Sequence, residues 1–273
     1  MNARQAATEA SGRLAAAGIA DARFEAELMA REAAGISRAA YFAGTGLSAE
    51  EARRFEEWVE RRTRREPAAY ITGHREFYGR DFGVGQGVLI PRPETELLAE
   101  LGLAELDGDP RAVVAEAGTG SGAVAVSIAA ERPGARVLAT EISRDALRFA
   151  AANAARHAPW LPLIQGDLLS AVARADVVLA NLPYIPAWEI EALEPEVSRW
   201  EPRVALDGGT DGYDLIRRLI DDCAQRLRPR LLALEVGFGQ AADVEAIMAS
   251  HGVAPWSVKD ISGIDRIVCA RWA

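Results

Sequence analysis

The chain opens in helical rhythm. Across residues 1–66, apolar side chains recur three and four positions apart, as in Phe24, Leu28 and Met29 and again in Phe55, Trp58 and Val59. Ala, Leu, Glu and Arg dominate these stretches, and Gly18, Gly35, Gly44 and Gly46 punctuate them. Ser48 followed by Glu51 has the spacing of a capping box, which opens a helix. A small helical bundle is predicted, closed by Pro67. Residues 76–90, EFYGRDFGVGQGVLI, then alternate apolar and polar positions around glycines, as a β-hairpin does. In PRPETELL, Pro91 and Pro93 fix an extended approach, and a helix is expected to begin over Glu94 to Leu98.

From Arg111 onward the period changes. RAVVAEA, ARVLATEI, LPLIQGDL, ADVVLANLP and RLLALEVG read as buried strands. SGAVAVSIAAER, SRDALRFAAANAARH and DGYDLIRRLIDDCAQRL read as helices between them. Apolar runs alternating with helices predict a parallel sheet covered on both faces. APWSVKDIS and DRIVCARWA stand too close together for a crossover helix, so the last pair is expected to be antiparallel. The reading is an α/β, doubly wound, seven-stranded sheet behind a helical bundle and a hairpin linker.

Composition adds limits. The 273 residues suffice for one large domain or two smaller ones, and 49% hydrophobic with 26% charged residues is ordinary soluble composition. No apolar stretch reaches membrane-spanning length, and the opening MNARQAATEASGRLAAAG lacks the apolar core of a secretory signal, so a cytoplasmic location is expected. Cys223 and Cys269 lie far apart and near no His cluster, as reduced core thiols would, and His74, His157 and His251 are scattered. No metal site is expected. The net charge of −9 argues against extensive contact with a phosphate backbone. RRTRRE at 61–66 is a local basic run, read as the solvated end of a helix.

Ligands of open α/β sheets bind beyond the C-terminal strand ends. After the first strand come Glu116, Ala117, Gly118, Thr119, Gly120, Ser121 and Gly122, then a helix whose N-terminus offers free N–H groups. After the second comes Glu141, about 20 residues beyond the loop, where a carboxylate typically takes ribose hydroxyls. After the third come Asp167 and Leu168, a polar group beside an apolar one, suited to an adenine edge and face. This loop also satisfies the dinucleotide pattern GxGxx(G/A), so a nicotinamide oxidoreductase competes at this point.

The fourth strand ends in Asn181, Leu182, Pro183 and Tyr184. An amide or exocyclic amino nitrogen is a poor nucleophile because its lone pair is delocalised. Two acceptors gripping both of its hydrogens would leave the nitrogen facing an electrophilic methyl. The Asn181 side-chain oxygen and the Leu182 carbonyl can be those acceptors, since Pro183 holds Leu182 extended. They would also stabilise the positive charge that develops on the nitrogen, so no general base is needed before attack. Tyr184 can pack against the planar group.

With these residues in place, the sequence resembles the glutamine N5-methyltransferases of peptide-chain release factors (the PrmC/HemK family). The likeness runs from about Pro67 to the end, through PAAYITGHREFYG, LIPRPETELL, EAGTGSGAVAVSIA, ANLPYIP, EPRVALDGGTDGYDLIRRLI, LEVGFGQ and GIDRIV. The resemblance implies residues 1–73 as a helical, partner-recognition domain, 74–92 as a hairpin linker and 93–273 as a class I (Rossmann-like) methyltransferase domain. It implies S-adenosyl-L-methionine as cofactor, with S-adenosyl-L-homocysteine as product. Gly118, Thr119, Gly120, Ser121 and Gly122 would hold its methionine part, Glu141 its ribose, and Asp167 with Leu168 its adenine, with Asn181 bordering both ligands. Asn181, Leu182, Pro183 and Tyr184 would clamp the glutamine of the Gly-Gly-Gln motif of class-I release factors, and Arg92 would shape the substrate mouth or pair with Glu94 or Glu96. Two departures stand out: Glu116 where the family usually has Asp, and Leu182 where it usually has Pro. Asn-Leu-Pro-Tyr also occurs in adenine dimethylases of ribosomal RNA, which keeps an amino-methyltransferase of RNA or DNA open. A non-enzymatic adaptor that retains the pocket is the remaining alternative.

Overall fold

The computed structural model describes residues 2–272, and the chain forms two compact units. One unit is Met1–His74 with Glu194–Trp200, and the other is Arg75–Leu193 with Glu201–Ala273.

The first unit contains α1 (Ala3–Ala16), α2 (Ala22–Ala34), α3 (Arg38–Phe42), α4 (Ala49–Thr63) and α5 (Ala68–Thr72). A single helical turn in its returning segment, Pro195–Ser198, is α9 in chain order. Capping boxes start α1 at Asn2 with Gln5 and α4 at Ser48 with Glu51, each satisfying two backbone donors that the helix leaves open. The core is built largely from alanine. Ala3, Ala6, Ala7, Ala10 and Leu14 of α1 are buried in one cluster with Ala22, Ala26, Met29, Ala30 and Ala33 of α2. That inward stripe corrects one expectation: Phe24 lies two positions off it and is 63% exposed, whereas Phe55 and Val59 are buried.

The basic run is also not simply solvated. Arg62 is buried, paired with Glu25 and with Glu196 at 2.7 Å, and Arg65 grips Glu196 through two bonds of 2.8 and 2.6 Å. Burial pushes the Glu196 carboxyl up, but the Arg65 and Arg62 hydrogen bonds outweigh it and hold it below the usual range. A charge run gives no hint of a carboxylate that arrives from more than a hundred residues later in the chain.

In the second unit the hairpin is shorter than its sequence pattern. β1 (His74–Phe77) and β2 (Arg80–Gly83) are joined through Tyr78 and Gly79, both at positive φ, and residues 84–92 carry no strand. A 3₁₀ turn at Pro93–Thr95 leads into α6 (Glu96–Gly108). Then follow β3 (Val113–Ala117), α7 (Ala123–Glu131), β4 (Arg136–Glu141), α8 (Arg144–His157), β5 (Leu163–Gln165) and β6 (Val177–Ala180). After α9 come α10 (Asp214–Asp222), β7 (Leu231–Glu235), α11 (Ala241–Ser250), β8 (Trp256–Lys259) and β9 (Asp265–Ala270).

The sheet runs β5-β4-β3-β6-β7-β9-β8, parallel through β7, with β9 antiparallel to both of its neighbours. Strand residues alternate between two cores. Val114, Val177, Leu179 and Ala233 face α6 and α7, while Ala115, Val178, Ala180 and Leu234 face α10 and α11. Two buried faces explain why β6 reads as an unbroken apolar run. The chain winds outward from β3 to β5 and then returns to β6 beside β3, so the switch point lies between β3 and β6. Among the described residues no helix is long and apolar enough to cross a membrane.

Candidate active site

Strand register assembles the site. Ala117 of β3 pairs with Thr140 of β4 on one side and Ala180 of β6 on the other, so Gly118, Glu141 and Asn181 emerge together at the switch point. Glu141 pairs with Gln165, which brings Asp167 to the same edge. Ala180 pairs with Leu234, which sets Glu235 beside Asn181. A cavity of about 590 Å³ opens over these ends. The loop Gly118–Ser121, Glu141, Asp167, Leu168, Asn181, Leu182 and Pro183 all line it, with Thr95 and Arg92 from the segment before α6. Gly122 lies just behind the wall as the N-cap of α7.

The glycine loop is held tightly. Thr119 N–H donates to the Thr140 carbonyl at 2.9 Å, and Gly120 N–H donates to Glu141 Oε2 at 2.8 Å. Glu141 Oε1 accepts the Ser143 N–H at 2.8 Å. Gly118 has φ of 71°, and a Cβ there would lie 3.3 Å from Leu182 Cδ2, so loop and clamp approach as closely as a missing side chain permits. Asp167 takes Arg218 at 2.6 Å near the surface. This donor set suits a nucleoside-bearing cofactor. Each Glu141 oxygen keeps a lone pair for a diol, Asp167 keeps an oxygen for an amino edge, and the cavity falls in the usual range for such ligands.

The clamp is oriented from behind. Asn181 Nδ2 donates to Thr95 Oγ1 at 3.1 Å. Among the described residues, no donor is paired with Asn181 Oδ1 or with the Leu182 carbonyl. Gly208 from the GG-x-DG block packs its backbone on this segment: a Cβ there would stand 2.8 Å from the Pro183 carbonyl. Gln240 ties down the Tyr184 carbonyl. Tyr184 itself is not part of the cavity wall. Its ring packs toward the α10–α11 core beside Gly237, and burial pushes its hydroxyl up to about 12.

Comparison with known proteins fixes what this arrangement belongs to. Residues 5–73 match the PrmC N-terminal domain and residues 94–192 the methyltransferase small domain. The release factor glutamine methyltransferase of Cereibacter sphaeroides is 43% identical over 279 residues, covering 99% of this chain and 99% of that protein. That of Geobacter sulfurreducens is 39% identical, covering 95% and 93%. The chain belongs to the release factor glutamine methyltransferase family. Solved structures below a quarter identity confirm the fold alone. The hMettl16 catalytic domain in complex with a 3′UTR hairpin has a TM-score of 0.59 at 17% identity, over 82% of each chain. A T. thermophilus 16S rRNA N2 methyltransferase in complex with AdoMet and guanosine has a TM-score of 0.52 at 19% identity, over 73% of this chain and 50% of that one. The enzyme is thus a methyltransferase with the class I architecture.

Within the family frame, several residues carry roles that sequence reasoning did not assign. Glu116 is buried, with Oε2 accepting from Thr119 Oγ1 at 2.5 Å and from Ala125 N–H at 3.0 Å, so it caps α7 and braces the glycine loop. Burial pushes its carboxyl up to about 8 against those two bonds, with Glu141 adding repulsion. Arg92 pairs with buried Glu201 at 2.6 Å, and with neither Glu94 nor Glu96. Thr95, Glu235, Gln240 and Gly208 all lay inside recognised motifs, yet their contacts cross from one strand end to another. One signal was available: Glu235 closes an apolar strand just as Glu141 closes β4, with Glu116 one residue from the end of β3.

Proposed function

We propose that the enzyme transfers a methyl group from S-adenosyl-L-methionine to the side-chain amide nitrogen, N5, of the glutamine in the Gly-Gly-Gln motif of class-I release factors. When bound, the cofactor supplies an electrophilic sulfonium methyl and leaves as S-adenosyl-L-homocysteine. Gly118, Thr119, Gly120, Ser121, Glu141, Asp167 and Leu168 hold it. Asn181 Oδ1 and the Leu182 carbonyl accept the two N–H groups of the substrate carboxamide. This aligns the nitrogen and stabilises the positive charge that grows on it, the form of catalysis in which fixed dipoles do most. After transfer the nitrogen releases one of its two protons to solvent, which leaves the neutral N-methyl amide. Leu182 in place of the family's Pro is compatible with this reading, because the acceptor is a backbone oxygen and the Leu side chain fills space over Gly118. Partner recognition is assigned to the helical domain and the hairpin, and the reaction to the cytoplasm, where translation ends.

One observation carries the reading: the Asn181 amide is turned with its nitrogen toward Thr95, and no donor among the described residues meets its oxygen. Mass spectrometry of release factor incubated with enzyme and labelled cofactor tests it. A single added methyl on the Gly-Gly-Gln peptide is expected. Methylation of structured RNA in preference to release factor would overturn the assignment.

A further inference from the structure

Behind the clamp sits a carboxylate that the proposed chemistry does not use. Glu235 closes β7 beside Asn181 and is 2% exposed, and among the described residues its Oε2 has no hydrogen-bond partner. Buried carboxylates without full pairing are costly and call for a reason. The Thr95 hydroxyl accepts from Asn181 Nδ2 at 3.1 Å and lies close enough to Glu235 to pull its carboxyl down. We infer that Glu235, through Thr95, is a positioning residue that sets which end of the Asn181 amide faces the substrate.

The argument is one of donors and acceptors. An ionised carboxylate only accepts, so the Thr95 proton must point at Glu235. The lone pairs of Thr95 then face Asn181, which has to present its NH₂ and turn its oxygen to the cavity. Once Glu235 holds a proton, it can donate to Thr95. The hydroxyl is then free to donate to Asn181 Oδ1, and the reversed amide, with its NH₂ in the cavity, becomes equally acceptable. That form offers a donor where the substrate amide needs an acceptor. The inference rests on the clamp reading above and names a residue pair that acts through it.

The surroundings make this switch responsive near neutrality. Burial pushes the Glu235 carboxyl up to about 7. The Thr95 hydrogen bond pulls it down, as do Arg266 on β9 and Arg92, while Glu94 pushes it up. Arg266 is itself shared with Asp260 at 3.3 Å, and the Tyr184 hydroxyl adds no charge at neutral pH.

The test compares Thr95→Val, Thr95→Ser, Glu235→Gln and Asn181→Ala, with melting temperature confirming that each folds. Thr95→Val should lower kcat at least tenfold, with affinities for S-adenosylhomocysteine and release factor within about twofold of the parent. Thr95→Ser should restore most of the rate. The parent kcat should fall as pH drops through about 7, and Glu235→Gln should lose that limb. The Asn181 side-chain NH₂ signals, followed by NMR without turnover, should move with the same midpoint. In an Asn181→Ala background, Thr95→Val should cost nothing further. Full activity of Asn181→Ala would defeat the clamp itself. An inactive Asn181→Ala beside a fully active Thr95→Val, or a pH limb that survives Glu235→Gln, would defeat only the relay.

Discussion

Gln240 holds the carbonyl of Tyr184, donating from Nε2 at 2.9 Å while its Oε1 accepts the Gly237 N–H at 2.8 Å. One amide therefore joins the loop after β6 to the loop after β7, and the two bonds need opposite ends of it. Glutamate keeps the acceptor but has no donor for Tyr184, so it sets a carboxylate against a carbonyl. Gln240→Glu is expected to lower kcat about tenfold, equivalent to about 1.4 kcal/mol of barrier. Cofactor affinity should stay within about threefold, because Gln240 is not part of the cavity wall. Steady-state kinetics and calorimetry with S-adenosylhomocysteine check both.

The glycines of the GG-x-DG block differ in what a side chain would strike. At Gly208 a Cβ would lie 2.7 Å from the Gly212 carbonyl and 2.8 Å from that of Pro183, both backbone atoms. At Gly209 it would overlap the far end of Asp214, which can swing away, although φ of 88° still disfavours any side chain. Gly208→Ala should therefore lose about 1–3 kcal/mol or more of stability and most of its activity, because relief requires the clamp to move. Gly209→Ala should keep more of both. Urea unfolding beside turnover measures the contrast, and equal losses would contradict it.

Glu116 ties pH to stability. In the unfolded chain its carboxyl titrates near 4.5, and in the folded protein near 8. Between those values the folded state holds a proton that the unfolded chain has released, so stability declines as pH rises toward 8. Glu235, raised to about 7, adds in the same direction. Asp176 and Glu196 are shifted downward, so their contribution is lost only in more acidic solution. The ligand-free enzyme should melt at a lower temperature at pH 8.5 than at pH 6, and Glu116→Gln should narrow the gap. A gap of unchanged size in that variant would mean that another group is responsible.

Much of this fold is legible in the amino-acid sequence. Period and spacing gave the five parallel strands, the antiparallel tail and the capped α4, because one-face and two-face burial leave different repeats in a sequence. Glu141 and Asp167 could be set at strand ends for the same reason. What stayed hidden depends on register between distant strands. Nothing local says that Ala180 will pair with Leu234, and without that pairing Glu235 has no visible connection to Asn181. Phe24 misled because alanine, which scarcely registers in a hydrophobic pattern, forms the inward face of α2. The run at 61–66 misled because its partner Glu196 is contributed by a returning segment.

Arg92 and Glu201 separate a structural role from a substrate role. The Glu201 side chain is 1% exposed and that of Arg92 is 35% exposed, with 2.6 Å between them. Burial raises the Glu201 carboxyl even though Arg92 pulls it down, so removing Arg92 leaves a buried charge without its cationic partner. Arg92→Met is expected to cost about 2–4 kcal/mol at pH 8, somewhat less than the ~3–5 kcal/mol of a fully buried pair because solvent screens the partly exposed Arg92. The cost should shrink toward acidic pH, where the carboxyl neutralises itself. Glu201→Gln should cost less, since a neutral amide is far cheaper to bury. The double variant, Arg92→Met with Glu201→Gln, should therefore be more stable than Arg92→Met alone at pH 8. Activity then becomes interpretable. Because Arg92 lines the cavity and Glu201 does not, a loss of turnover that persists in the stable double variant but is absent from Glu201→Gln assigns Arg92 to the substrate mouth. Recovery of turnover along with stability would leave it as the partner of Glu201 alone.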